Sequence, residues 1–255
     1  MKKINAIVSL AATLMCFCLP VSLPAQKNYI SIETGFPFGG PAHKIESQMN
    51  ASGFGDRISY TLSDLSFIFD IFPGLGSIQI NSQYPKSSNV GGKFWLRYGH
   101  ELKNKNYLEL SYGKIHSSKV EGFDQAGTDQ LFDGNRLNYT NNVSALTAHY
   151  IFPGKNNSTG LGIGPALAFN SITREANYVS EKTNHLQPGI SGSAYWRFIN
   201  KKVFFMSLRG DAIMLAPVTI DAITVTSSKG YNSTFNTTKV NSFIGDLTVS
   251  AGFKF

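Results

Sequence analysis

Along the last thirteen residues the chain changes character at every step. The odd positions read Phe243, Gly245, Leu247, Val249, Ala251, Phe253 and Phe255, and the even ones Ile244, Asp246, Thr248, Ser250, Gly252 and Lys254. Successive side chains of a β-strand point to opposite faces, so this pattern makes one greasy face and one mostly polar or small one. Seven further segments split the same way, at 28–36, 92–101, 107–113, 143–152, 159–170, 187–198 and 203–211. In 159–170, Leu161, Ile163, Leu167 and Phe169 oppose Gly162, Gly164, Ala166, Ala168 and Asn170. Segment 28–36 alternates least regularly. Each is near the roughly 9–11 residues with which a tilted strand crosses a bilayer. Past residue 25 no apolar run reaches the ~18 residues of a membrane helix.

A soluble sandwich alternates too, so the connections have to decide. Those at 102–106, 153–158 and 200–202 are short, whereas 39–90, 116–141, 172–185 and 215–241 are long. Short turns alternating with long loops are the arrangement of bacterial membrane barrels, with the turns in the periplasm and the loops outside. The expected fold is therefore all-β: a closed antiparallel transmembrane β-barrel of eight strands. Ten strands result if 65–69 and 77–81 pair as an extra hairpin. In the long first outer loop, 42–52 reads as a short amphipathic helix carrying Ile45 and Met49.

The chain begins Met1-Lys2-Lys3, continues with an apolar run over 4–23 and reaches Pro24-Ala25-Gln26. That is the plan of a secretory signal peptide, expected to be cleaved after Ala25 and to leave 26–255 as one barrel domain. Cys16 and Cys18 both lie in the removed piece, so the mature chain has no disulfide and no thiolate metal site. The formal charge of +7 falls by two to +5 when Lys2 and Lys3 leave. The excess is scattered, and no nucleic-acid partner is expected.

The alternating final strand ending Ala251-Gly252-Phe253-Lys254-Phe255 resembles the C-terminal insertion signal of outer-membrane proteins, and the eight strands resemble the small OmpX/OmpA-type, porin-like barrels. The resemblance covers strands and terminus, not loops. It implies the outer membrane of a Gram-negative bacterium, contact with its lipids and lipopolysaccharide, and assembly by machinery that reads Phe253 and Phe255. No peptidoglycan-binding domain is expected after Phe255.

Eight strands leave a lumen just wide enough for side chains to fill. The inward candidates are Arg97, Glu101, Glu109, His149, Arg197, Arg209, Asp211, Asp246 and Lys254. Opposite charges in so narrow a space are expected to pair, because an unpaired buried charge is costly. A narrow proton or solute path is the alternative. Tyr150, Phe152, Trp196, Phe198, Phe204, Phe253 and Phe255 fall near periplasmic strand ends, where an aromatic girdle anchors a barrel.

Catalytic motifs mostly fail. His100-Glu101 opens like a zinc-protease motif, but Asn104 stands in place of its second histidine. Gly189-Ile190-Ser191-Gly192-Ser193 lacks the last glycine of a nucleophile elbow. Asp124, Asp129 and Asp133-Gly134-Asn135 lack the ligand spacing of an EF-hand, so neither metal nor cofactor is expected. One candidate set remains at an outer strand end: His116, Ser118 and Glu121, where a base beside a serine activates it. It would make the chain a lipid A deacylase-like hydrolase. The leading expectation is a non-catalytic barrel acting through its outer loops in adhesion, partner binding or envelope integrity, with an unknown extracellular or periplasmic partner. Minor transport of small solutes is the second alternative.

Overall fold

The computed structural model describes residues 27–61, 79–89, 93–125, 134–177 and 179–255. In chain order the elements are β1 (Asn28–Gly39), α1 (Ala42–Ala51), β2 (Arg57–Thr61), β3 (Gln79–Gln83), β4 (Lys86–Asn89), β5 (Lys93–Glu101) and β6 (Tyr107–Asp124). They continue with β7 (Asn135–Pro153), β8 (Thr159–Ala176), β9 (Val179–Asn200), β10 (Phe204–Ile220), β11 (Ile223–Thr226), β12 (Asn232–Phe235) and β13 (Thr238–Lys254). The signal-peptide expectation for 1–25 lies outside the described residues.

Eight strands close a ring. β1, β5, β6, β7, β8, β9, β10 and β13 pair antiparallel in that order, and β13 pairs back to β1 from Tyr29↔Lys254 to Gly39↔Ile244. Closure pairs every strand with two neighbours through most of the apolar wall, which lipid requires because it cannot hydrogen-bond a free edge, and the β9–β10 ladder ends at Leu215↔Gly189 near the top of that zone. The ten-strand alternative does not hold. β2 pairs with β3 as a separate hairpin, and 65–69 lies outside the described residues. The expected helix forms as α1, one residue shorter than the expected span. Ten residues are too few for a stable isolated helix, and burial of Ile45 and Met49 holds it.

The long loops need correcting. Most of 116–141, 172–185 and 215–241 is strand: β6 runs 18 residues, β7 19, β8 18 and β9 22. The wall thus stands well beyond the ~10 residues that cross a membrane. Only its polar outer face had made these stretches look like loop. The three short connections are short turns as expected, and both ends of the barrel meet beside them, Asn28 and Phe255 exchanging backbone hydrogen bonds of 2.9 Å.

Two opposite packings share this wall. Toward the turn end the outside is apolar and exposed, as at Ile32 (66%), Leu161 (65%), Ile190 (62%) and Trp196 (56%), while the inside holds buried charges. Toward the loop end the outside turns polar, with Ser171, Thr173 and Glu175 following Phe169 on β8, and Asn184 and Lys182 lying beyond Leu186 on β9. There the inside becomes an ordinary core, in which Ile45, Met49 and Phe54 meet Val120, Leu137, Tyr139, Ile172, Val218, Phe235 and Val240. A continuous exposed apolar belt is unfavourable in water and fits lipid. The belt therefore marks the membrane-spanning zone, and the conventional core above it stands in water.

Candidate functional site

Along β6 the inward residues step through four layers, from Tyr107 to Glu109 to Ile115 to Val120. The first is an aromatic floor of Tyr29, Tyr107, Tyr195 and Phe205 with Ile151. The Arg197 guanidinium lies 4.5 Å from the Phe205 ring centre, 4.7 Å from that of Tyr195 and 5.2 Å from that of Tyr29. Arg197 also donates to the Asn157 carbonyl at 3.2 Å. Lys254 and Glu101 lie at the rim of this floor. Lys254 donates to Asn200 and to the Lys201 carbonyl, and Glu101 accepts from Tyr107 at 3.1 Å and pairs with Lys105 at 3.2 Å.

Above the floor lies the ionic layer. Arg97 is fully buried, with its Nε 2.8 Å from Glu33, Nη2 2.6 Å from Asp211, and Nη1 3.3 Å from Glu109 and 3.0 Å from Ser111. Arg209 grips Glu109 with both terminal nitrogens, at 2.9 and 2.6 Å, and reaches Asp211 through Nε at 3.2 Å. Tyr29 donates its hydroxyl to Glu109, and Thr248 donates to Glu33 at 3.2 Å. His149 places Nδ1 3.5 Å from Glu109 and Nε2 2.7 Å from the Ser191 hydroxyl. Lys93 pairs with Asp246, which also accepts from the Trp95 indole at 3.4 Å. Multidentate pairing of this kind is what allows charges to stay buried.

All nine inward candidates face the lumen or its rim. Glu33 and Lys93 complete the layer but were missing from the expected set. Lys93 follows the same odd-position phase as Trp95 and Arg97, a signal that was available. Glu33 sits in the least regular segment.

The third layer is apolar: Trp95, Ile115, Val143, Ala145, Ala166, Ala168, Ile213, Leu215 and Ile244. The fourth is the upper core under α1. Gly122 is required there, because a Cβ at its position would lie 2.8 Å from Met49 Sδ and 3.0 Å from Phe54 Cβ.

His116, Ser118 and Glu121 are not brought together. A bulge between Lys114 and His116 shifts the register, so that His116 pairs with Val143 and Ser118 with Asn141, and both turn into the lumen. Both are buried, and neither His116 ring nitrogen nor the Ser118 hydroxyl has a hydrogen-bond partner among the described residues. Glu121 lies on the outer face, paired with Lys119. Among the described residues no three His, Cys, Asp or Glu side chains cluster as metal ligands. Asp129 and Asp133 lie outside those residues, and Asn135 is a buried structural group bonded to Ser233.

On the outside, Tyr150 packs on Phe152 at 5.0 Å, Trp196 on Phe198 at 6.1 Å and Phe204 on Phe253 at 5.6 Å, around the turn end. Apolar exterior, charged interior and eight closed strands together define a small transmembrane β-barrel of the outer-membrane type.

No family model and no curated protein matches the chain. Solved structures do, at the level of fold. The attachment invasion locus protein Ail of Yersinia pestis is 11% identical, with 90% of this chain and 99% of that one covered and a TM-score of 0.40. The outer membrane protein OprG from Pseudomonas aeruginosa is 10% identical over 91% and 97%, with a TM-score of 0.45. The outer membrane protein AlkL is 10% identical over 93% and 94%, with a TM-score of 0.39.

Proposed function

We propose that the chain resides in the outer membrane of a Gram-negative bacterium and works there without catalysis and without conducting, presenting the wall above its apolar belt as a rigid recognition surface. One observation carries this reading: the lumen is filled by four successive layers, while six strands rise past the apolar belt around an independent core. A transport protein needs a route through its lumen, and a hydrolase needs an assembled base and nucleophile. The His116, Ser118 and Glu121 set is not assembled among the described residues, and apolar and ionic layers of side chains occupy the lumen. The surface serves adhesion, partner binding or envelope integrity, and lipopolysaccharide is the lipid it meets outside.

Reconstitution in a planar bilayer tests the reading, and no discrete conductance steps are expected. Steady single-channel currents would overturn it, as would a change in lipid A acylation that depends on Ser118.

The C-terminal strand is proposed to direct insertion. Its terminal aromatics flank the register Phe204↔Phe253, and Phe255 is tied to Asn28 at the barrel's closing seam. Deleting Phe255 is expected to lower the fraction of heat-modifiable barrel in membranes several-fold. An undiminished fraction would remove Phe255 from that role.

A further inference from the structure

The turn end of the barrel carries charge of almost one sign. Lys103 and Lys105 lie in the first turn, Lys201 and Lys202 in the third, Lys27 just before β1 and Lys254 at the end of β13, and all but Lys254 are exposed. Glu101, partnered by Lys105, is the one acidic side chain at this end among the described residues. Beneath the turns, Arg197 is 5% exposed, and its partners are three aromatic rings and the Asn157 carbonyl, with no carboxylate among them. The loop end differs. There Lys119 pairs with Glu121 and Arg174 with Glu181, and Glu46, Asp56, Glu175 and Asp221 add further negative charge. A surface in plain water ordinarily intersperses both signs, because like charges held side by side repel one another.

These cations are also fixed at the height of the membrane surface. The hydroxyl of Tyr150, in the aromatic girdle, accepts from Asn104 and from Asn106, both at 2.7 Å. Girdle tyrosines sit at headgroup level, so the turn with Lys103 and Lys105 is anchored there. Lys201 and Lys202 stand between Phe198 and Val203, both exposed on the apolar side, and the Lys201 amide donates to the Phe204 carbonyl at 2.8 Å. Lys254 donates to Asn200 and to the Lys201 carbonyl, and Asn200 donates to the Asn156 carbonyl at 3.1 Å. The second turn, the third turn and the closing strand are thereby tied into one rim.

We propose that this rim binds the phosphates of anionic phospholipids in the leaflet around the turn end. A phosphodiester brings one negative charge to the height of the girdle, and its free oxygens accept from ammonium groups. A lipid is the occupant because it matches the rim in two parts. Its acyl chains lie along Phe152, Trp196 and Phe253 on the exposed apolar wall, while its phosphate stays level with the lysines. A soluble acidic partner matches only the charge. The inference rests on the membrane placement of the barrel and concerns the end opposite the proposed recognition surface.

Trp196 supplies a local reporter. The chain has two tryptophans; Trp95 is fully buried in the lumen, whereas Trp196 is 56% exposed on the apolar wall near the third turn. The barrel is reconstituted in phosphatidylcholine vesicles containing either dibrominated phosphatidylglycerol or dibrominated phosphatidylcholine, and quenching gives the relative occupancy of each lipid beside Trp196. At low salt the anionic lipid is expected to be preferred about three- to fivefold, and about 0.5 M salt is expected to remove most of that preference. A variant carrying Lys103→Gln, Lys201→Gln and Lys202→Gln is expected to lower the preference to less than about twofold, with its heat-dependent gel shift unchanged. Arginine at the same three positions keeps the charge and is expected to keep the preference. Neutralising Lys44, Lys182 and Lys239 at the loop end is expected to leave it unaltered. Equal quenching by both lipids in the unaltered protein, or a preference that survives the glutamine substitutions, overturns the proposal. So does loss of the preference in the arginine variant, which would make the lysines structural. The two readings fail separately. No quenching by either brominated lipid would sink the membrane placement itself, whereas equal quenching by both would sink only the phosphate rim.

Discussion

Arg97→Ala is expected to destabilise the folded barrel by about 3–5 kcal/mol, the cost of removing one partner from a buried ionic set. The side chain is fully buried and touches Glu33, Glu109, Asp211 and Ser111, and its guanidinium lies 4.6 Å from the Trp95 ring centre. Without it, Arg209 still holds Glu109 and Asp211, but Glu33 loses its guanidinium partner and keeps the hydroxyl of Thr248. Four carboxylates, Glu33, Glu109, Asp211 and Asp246, then face only Arg209, Lys93 and the imidazole of His149. Urea unfolding from lipid vesicles, followed by tryptophan fluorescence, measures the loss. Glu101→Gln serves as the rim control, because Glu101 is partly exposed and its partner Lys105 is mostly in solvent, where such pairs contribute about 1 kcal/mol or less. A loss below about 1 kcal/mol for Arg97→Ala would mean that water enters the layer and that the lumen is not dry.

Phe54→Ala is expected to act as strongly but locally. Phe54 is fully buried in the upper core, against Gly122 and close to Met49, and its backbone is tied at both ends, accepting from Phe123 at 3.1 Å and donating to Met49 at 2.9 Å. Truncating a buried phenylalanine costs about 3–5 kcal/mol in transfer and cavity terms. α1 has no side-chain N-cap and no acidic residue in its first turn, so the loss falls on a segment with little stability of its own. Trypsin is expected to cut after Lys44, on the exposed face of α1, many times faster in the variant, while the heat-dependent gel shift of the membrane part stays unchanged. Equal cleavage rates would show that α1 does not rely on this core. Loss of the gel shift together with faster cleavage would show that the upper core and the membrane part unfold as one unit.

The two experiments probe the two packings on one set of strands. In the membrane zone the side chains are sorted by lipid, with charges forced inward and made to satisfy one another. Above it they are sorted by water. A strand such as β8 passes from one regime to the other between Phe169 and Ser171 with no break in its hydrogen bonds. This continuity makes the loop-like polarity of 172–185 misleading: a strand with a polar outer face and scattered apolar inner residues lacks the strong alternation of a lipid-facing one.

Period two determined the eight barrel strands, their turns and the inward direction of Arg97, Glu109, Arg209 and Asp211, because a strand's two faces are written directly into neighbouring residues. The helical period placed Ile45 and Met49 on one side of a short helix, because four residues bring a helix round to the same face. Other features depended on partners distant in the chain. The bulge after Lys114 turned His116 and Ser118 inward and left Glu121 outside, a change of phase that only the pairing with β7 imposes. Glu33 joined the ionic layer because closing β1 against β13 set it beside Thr248 and within reach of Arg97. Pro188 and Pro217 are plain in the sequence, but only the pairing of β9 with β10 shows that their ladder ends at Leu215↔Gly189, just short of both prolines. Local alternation determined which residues are strand and which way they face. The tertiary structure decided register, and with it which groups meet inside the wall and where the wall opens, because register is a relation between strands that no single strand encodes.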